Sequence, residues 1–169
     1  MEARAQRRAS ARSQYLTFRV AGETYAIDIL RVREIIEHRP VTRVPLAHPC
    51  VRGVINLRGS VVPVVDLALR FGMPETVVNR RTCLVIVETQ IEDAGLVLGV
   101  TADSVCEVIE LEPEAIAKPP PFGTPLPAEF LKGLGRSAER FVLILNVDRA
   151  LDLDALRVGE EPAAARAAE

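Results

Sequence analysis

The titratable side chains of this sequence show no arrangement that supports catalysis. Histidine is the usual base near neutral pH, and only His38 and His48 are present, both in a proline-containing stretch typical of a surface loop. Glu34 and Glu37 share one segment, but nothing beside them indicates an acid and base pair. No GxSxG, HExxH, P-loop or GxGxxG motif occurs. The sequence therefore predicts that the protein is not an enzyme.

Metal ligation is not indicated either. Cys50, Cys83 and Cys106 are widely spaced, without a CxxC motif, and no Cys/His pair has ligand spacing. An odd number of unpaired cysteines fits a reducing compartment, where they serve as small apolar side chains. We therefore expect no metal and no cofactor.

Charge and hydropathy narrow the partners further. Lys+Arg of 21 against Asp+Glu of 23 leaves a net charge of −2 over 169 residues, so no electrostatic case exists for binding nucleic acid. No stretch approaches the roughly 18 apolar residues of a membrane span, and the N-terminus lacks the apolar core of a signal peptide. These features predict a cytoplasmic protein. Residues 1–14 carry four arginines and are expected to form a disordered basic leader, and residues 157–169 a disordered tail.

Two features offer binding chemistry instead. The turn 56–59 projects the long planar cation of Arg58, and Asn56 or Gly59 is expected at positive φ there. Glu34 is an available acidic partner, and a Glu34–Arg58 pair would serve recognition more than stability. The stretch 119–127 is polyproline-like and holds Phe122, which is either tucked under its loop or an interface anchor.

The elements that must position these residues are mainly strands. The chain contains 21 Val, 10 Ile and 8 Thr, and β-branched side chains favour pleated strands. Hairpins are predicted over 15–29, 54–65 and 83–100, the last with a loop at 88–95, and a final strand over 141–147. Short helices are predicted at 67–71 and 148–156. The sequence therefore predicts an all-β domain with a few short helices.

An internal repeat divides that domain. Residues 32–37 recur at 105–110, an offset of 73, and residues 52–54 match 132–134, an offset of 80. Matches in order with one change of offset argue for two similar β units, each small enough to form a barrel. We expect a single domain at 15–156 with subdomains at about 15–79 and 80–156, and exchange of strands at their ends is left open.

Several segments resemble the CheW family. Residues 22–29 followed by 32–35 resemble the opening of CheW-like domains, and residues 44–67, with 51-VRGVINLRGSVVPVVDL-67, are close to the full family signature. Residues 129–135 and 143–147 also agree, so the resemblance covers nearly all of the predicted folded region.

The resemblance implies two packed five-stranded SH3-like β-barrels and a non-catalytic adaptor. Such an adaptor couples the cytoplasmic tip of methyl-accepting chemotaxis receptors to the regulatory domain of the histidine kinase CheA, and meets the membrane only through the receptors. The alternative is a small β-barrel RNA-binding protein, which would need a basic groove with exposed aromatics. By the resemblance, the receptor-binding residues are Val32, Glu34, Arg58, Val61, Val105 and Val108. The kinase-binding residues are Val41, Arg52, Gly53 and Phe122.

Overall fold

The computed structural model describes residues 13–45, 47–91, 94–119 and 126–152. Most of them lie in strands, which in chain order are β1 Ser13–Val20, β2 Glu23–Asp28, β3 Val32–Glu37, β4 Val51–Leu57, β5 Ser60–Val65, β6 Cys83–Ile91, β7 Ala94–Ala102, β8 Ser104–Leu111, β9 Ile116–Ala117, β10 Leu131–Ser137 and β11 Arg140–Leu145. Short α-helices follow β5 and β11, at Leu67–Arg70 and Val147–Ala150. Turns of 3-10 helix occupy Ile29–Arg31, Pro113–Ala115 and Ala128–Phe130. Among the described residues, no helix has the length and apolarity needed to span a membrane.

The strands form two SH3-like barrels, which confirms the predicted all-β fold. One sheet has the order β8-β1-β2-β11-β10-β9 and is called the terminal barrel because it holds both ends of the described chain. The other has the order β3-β6-β7-β5-β4 and is called the central barrel. In the terminal barrel, the two-residue β9 pairs with β10. In the central barrel, Thr42 after β3 forms an equivalent single bridge to Val54 of β4.

The two repeat units exchange strands. Adding 80 to the bounds of β4, β5 and the first α-helix gives those of β10, β11 and the second. Adding 73 to β3 gives residues 105–110 within β8. The terminal barrel therefore combines β1 and β2 of the first unit with later strands of the second unit, and the central barrel does the reverse. The boundary near residue 80 describes the repeat, not the membership of the barrels.

Strand alternation produces three apolar clusters. Along β11, Val142 and Ile144 belong to a cluster inside the terminal barrel, whereas Leu145 belongs to a larger cluster between the barrels. Val62 and Val64 of β5 belong to the equivalent cluster inside the central barrel. Because successive strand residues face opposite sides, every such strand serves both its own barrel and the interface.

Some predicted boundaries are wrong. β1 begins at Ser13 rather than Tyr15, because Ser13 and Gln14 pair with Leu111 and Glu110 of β8. The predicted loop 88–95 is mostly strand, because the β6–β7 ladder continues to the pair of Ile91 and Ala94. The second α-helix is Val147–Ala150, not 148–156. The rest of the predicted leader, residues 1–12, and the predicted tail at 157–169 lie outside the described residues.

Candidate interaction sites

Glu34 and Arg58 form an ion pair at the open side of the central barrel. Glu34 lies on β3 and Arg58 on the turn between β4 and β5, so the pair joins the two outermost strands of the sheet. The Nη1 of Arg58 lies 2.5 Å from the Oε2 of Glu34, with side-chain exposures of 77% and 24%. The other oxygen of Glu34, Oε1, is buried and has no hydrogen-bond partner among the described residues. The structure therefore brings together two predicted receptor-side residues and leaves one acceptor unused.

The turn that carries Arg58 is tightly constrained. Arg58 and Gly59 have φ values of +51° and +86°, the pattern of a two-residue hairpin turn in which both central residues are left-handed. Of the two residues expected at positive φ, Gly59 adopts it and Asn56 does not. Its side chain instead accepts a hydrogen bond from the Gly59 amide at 2.9 Å, which fixes the turn. The direction in which Arg58 leaves the barrel is thus set by the backbone.

The predicted receptor-side valines lie on the faces that the barrels turn toward each other. Val32 is paired with Val87 and Val105 with Phe18, and both partners belong to the cluster between the barrels. Val32 and Val105 are partly buried against that cluster. They are equivalent residues of the two repeat units, at the predicted offset of 73.

Further along the same faces, apolar side chains are exposed. Val108 is paired with the buried Leu16 but is itself 48% exposed. Its equivalent, Ile35, is paired with the buried Val85 and is 43% exposed. Sequence reasoning missed Ile35, although its offset from Val108 was a signal that could have found it. Val61 is more exposed still. It lies near the start of β5, on the same face of the strand as the buried Val65.

The two barrels differ at the equivalent of the ion pair. Offsets of 73 and 80 place Glu107 and Ala138 where the central barrel has Glu34 and Arg58. Ala138 also has positive φ, but the equivalent of Gly59 is Glu139, which does not, and the cation of Arg58 is replaced by a methyl group. Both barrels expose an apolar side chain at this hairpin: Val61 in the central barrel and its equivalent, Phe141, in the terminal barrel. The Glu34–Arg58 pair thus has no counterpart at this position of the terminal barrel, although Glu139 and Arg140 are exposed beside Phe141.

Three of the predicted kinase-side residues, in β4 or beside it, make defined contacts with neighbouring residues. Arg52 lies at an irregularity in the β4–β5 pairing and forms an ion pair with Glu75, a partner that sequence reasoning missed. Gly53 has φ +147°, and a Cβ there would overlap the Thr42 carbonyl oxygen. Val41 packs against the cluster inside the central barrel. Phe122 lies outside the described residues.

In the described residues, the His, Cys, Asp and Glu side chains considered for catalysis or metal binding show little arrangement suited to either. No group of three or more His, Cys, Asp or Glu side chains in the described part of the chain is placed to hold a metal ion. His48 accepts a hydrogen bond through Nδ1 from the Cys50 amide at 3.2 Å, which is a local turn contact. Burial raises the pKa of the Cys83 thiol, with Glu37 adding to the shift, which disfavours the reactive thiolate.

A rigid double barrel with exposed apolar side chains and a charged rim defines a protein-interaction scaffold. A family model described as the CheW-like domain matches residues 14–155. The chain is 33% identical to the chemotaxis protein CheW of Klebsiella aerogenes over 138 residues, covering 82% of this chain and 81% of that protein. It is 33% identical to the chemotaxis protein CheW of Helicobacter pylori over 141 residues, covering 83% and 82%.

A solved structure agrees with these matches. The crystal structure of the scaffolding protein TtCheW from Thermoanaerobacter tengcongensis superposes with a TM-score of 0.73 at 29% identity, covering 82% of this chain and 86% of that one. The chain belongs to the CheW family. It is a non-catalytic adaptor of chemotaxis signal transduction, as the sequence predicted. The RNA-binding alternative finds no support among these relatives.

Proposed function

We propose that the chain couples methyl-accepting chemotaxis receptors to the histidine kinase CheA, as a cytoplasmic protein that meets the membrane only through the receptors. The proposal rests on the family and on the Glu34–Arg58 pair, which places a charged rim beside the exposed Val61. Interfaces of this kind combine an apolar centre with a polar rim. Both barrels share one core, so a contact on either is held in fixed orientation to the other.

On the receptor side, the contact residues are Val32, Glu34, Arg58, Val61, Val105 and Val108. The accessible member of the ion pair is Arg58, which is 77% exposed, whereas Glu34 is 24% exposed. A receptor carboxylate or carbonyl oxygen can therefore accept a hydrogen bond from the Arg58 guanidinium, which Glu34 holds in place.

The receptor-side assignment is tested with Arg58→Glu. Arg58 is 77% exposed, and its pair with the partly buried Glu34 contributes about 0–1 kcal/mol to folding, so the variant should stay folded. Receptor-coupled kinase activation, reconstituted with receptor and CheA from the same cell, should fall. Arg140→Glu makes the same charge change on the equivalent hairpin of the terminal barrel and should leave activation intact. Normal activation by Arg58→Glu would contradict the assignment.

On the kinase side, the contact residues are Val41, Arg52, Gly53 and Phe122, binding the regulatory domain of CheA. The Arg52–Glu75 pair offers a matched comparison, because either Arg52→Ala or Glu75→Ala breaks it. Only Arg52→Ala should weaken capture of the purified CheA regulatory domain. Equal loss in both variants would mean that the pair acts by holding the loop, and would contradict a direct contact by Arg52.

A further inference from the structure

The loop between the helix Leu67–Arg70 and β6 exposes an unusual combination of side chains. Val77 and Val78 are consecutive and are 81% and 53% exposed. Arg80 and Arg81 follow and are also exposed. Arg39 is likewise exposed and follows His38, whose amide donates to the Thr82 carbonyl oxygen at 3.2 Å. The Arg39 guanidinium donates to the Asn56 carbonyl oxygen of β4 at 3.3 Å, so Arg39 lies at the edge of this region. We call the two valines and three arginines the basic-valine surface.

The loop is anchored at both ends. At its start, the Thr76 amide and hydroxyl donate to the buried carboxylate of Asp66 at 2.9 and 2.8 Å. At its end, the Asn79 amide donates to the Thr82 hydroxyl and the Arg81 amide to the Asn79 side chain, both at 2.8 Å. The exposed valines between these anchors are therefore held in place before any partner arrives, which reduces the entropy cost of binding.

The charge of the surface is not neutralised locally. Within the described ranges, no carboxylate forms an ion pair with Arg39, Arg80 or Arg81. The acidic residue of the same loop, Glu75, is already paired with Arg52. The surface is therefore locally basic on a chain whose net charge is −2. One further carboxylate, Glu37 on β3, lies opposite Cys83, so three arginines against this one acid leave a net positive charge. Such a surplus raises the local concentration of negatively charged partners.

We propose that the basic-valine surface docks an acidic protein segment that carries apolar side chains. Arginine supplies charge-assisted hydrogen bonds to carboxylates, and the two valines supply an apolar centre. Residues 72–83 contain no aromatic side chain on which bases would stack, which favours a protein partner over RNA. The inference does not depend on the receptor-side or kinase-side contacts proposed above.

The test is a titration of the isotope-labelled full chain, followed by amide chemical shifts. The ligands are a short peptide of alternating glutamate and leucine, one of glutamate and serine, one of lysine and leucine, and a single-stranded RNA of matched length. The glutamate–leucine peptide should shift the amides of residues 77–81 and Arg39, and its affinity should fall as salt rises. The glutamate–serine peptide should bind more weakly, and the lysine–leucine peptide should not bind.

Double substitutions test whether the arginines and valines of the basic-valine surface bind the peptide. Arg80→Glu with Arg81→Glu should weaken the glutamate–leucine peptide about tenfold or more, and Val77→Ser with Val78→Ser should also weaken it. Arg136→Glu with Arg140→Glu, an equal charge change on the terminal barrel, should have no effect. The proposal is overturned if the first pair binds normally or if the shifts map elsewhere. It is also overturned if RNA shifts these amides more strongly, or if sedimentation shows self-association that the arginine variants abolish.

Discussion

Arg70 and Ala150 are equivalent residues of the two repeat units, and the Arg70 Nε donates a hydrogen bond to the Ala150 carbonyl oxygen at 2.8 Å. The same guanidinium lies over the Phe130 ring, 4.4 Å from its centroid. Burial lowers the pKa of Arg70 below its ordinary value, with Glu129 and Asp152 among the charges that oppose the shift. One side chain of the first unit thus closes the last turn of the matching helix in the second, where a cation is favourable.

Arg70→Met should destabilise the protein by about 2 kcal/mol. The variant loses a charge-assisted hydrogen bond and a cation–π contact while keeping a similar apolar stem. Urea denaturation measures the change in free energy of unfolding. Arg149→Met, at an exposed position of the helix that Arg70 caps, should change it by less than about 0.5 kcal/mol. Equal effects would show that the contact with Ala150 contributes nothing specific.

Gly53→Ala should be among the most damaging single changes in the chain. Its Cβ would overlap the Thr42 carbonyl oxygen, at a φ of +147° that L residues rarely adopt. Relief of that clash would break the two hydrogen bonds, 2.9 and 2.8 Å long, between Thr42 and Val54. We expect a loss of about 3 kcal/mol or more in free energy of unfolding, measured by denaturation.

Gly22→Ala is the matched control for that experiment. Gly22 also has positive φ, +85°, but nothing lies within 4 Å of the point that a Cβ would occupy. Backbone strain alone should then cost about 1 kcal/mol. If both variants lose equal stability, close approach to Thr42 is not the reason for glycine at residue 53. If Gly53→Ala is stably folded yet fails to bind CheA, its role is contact rather than backbone geometry.

Tyr25 should make stability fall at high pH. Burial raises its pKa from 10.0 to about 12, with Glu23 adding to the shift, and its hydroxyl has no hydrogen-bond partner among the described residues. The folded protein therefore keeps the phenol proton between these values while the unfolded chain loses it. The part of the free energy of unfolding that is linked to this proton is complete below pH 10. It is lost as pH rises toward 12, at about 1.4 kcal/mol per pH unit.

Tyr25→Phe tests both the raised pKa of the Tyr25 hydroxyl and its lack of a hydrogen-bond partner among the described residues. Removing an unsatisfied hydroxyl should raise the free energy of unfolding by about 1 kcal/mol at neutral pH, and should flatten its decline above about pH 10. Tyr15→Phe is the comparison: burial also raises the pKa of Tyr15, but the Ser13 side chain opposes that shift, so loss of this hydroxyl should lower stability. A destabilised Tyr25→Phe would mean that its hydroxyl is satisfied in solution.

The sequence predicted the all-β class and the repeat because both depend on local patterns. It could not predict which unit supplies each strand, since β1 and β2 carry no mark of their partner and pair with the second unit through long-range contacts. Pro63 illustrates the same limit. Its missing N–H predicts a sheet edge or a bulge, yet β5 lies between β4 and β7, and its ladder to β7 begins only at Val64.

The candidate site was predicted only in part, for a related reason. Glu34 and Arg58 are complementary charges that the sequence predicts as a pair, and the structure pairs them. The sequence predicts Arg52 without Glu75, because that partner lies on a loop whose course is set by hydrogen bonds to Asp66. Ile35 could have been found from its offset to Val108, but its exposure on the face between the barrels follows from strand pairing, which places it opposite Val85.

Arg31 and Asp148 provide the last prediction, which concerns how the barrels are held together. Arg31 lies on the turn where the chain passes from β2 of the terminal barrel to β3 of the central barrel. Its guanidinium donates two hydrogen bonds to the Asp148 carboxylate, at 3.2 and 2.8 Å, and the Gln90 amide of β6 donates a third at 2.8 Å. This pair therefore links both barrels and a connection between them.

A double-mutant cycle of Arg31→Ala and Asp148→Ala should give a coupling energy of about 1–2 kcal/mol, because both side chains are about 70% buried and share further hydrogen bonds. The neighbouring pair of Arg33 and Glu88 is more exposed, lies within one barrel and should give less than about 1 kcal/mol. Urea denaturation of the unchanged protein and the three variants in each cycle measures both values. Equal coupling in the two cycles would mean that bridging the barrels adds nothing beyond an ordinary surface pair, and that their shared apolar cluster alone fixes their orientation.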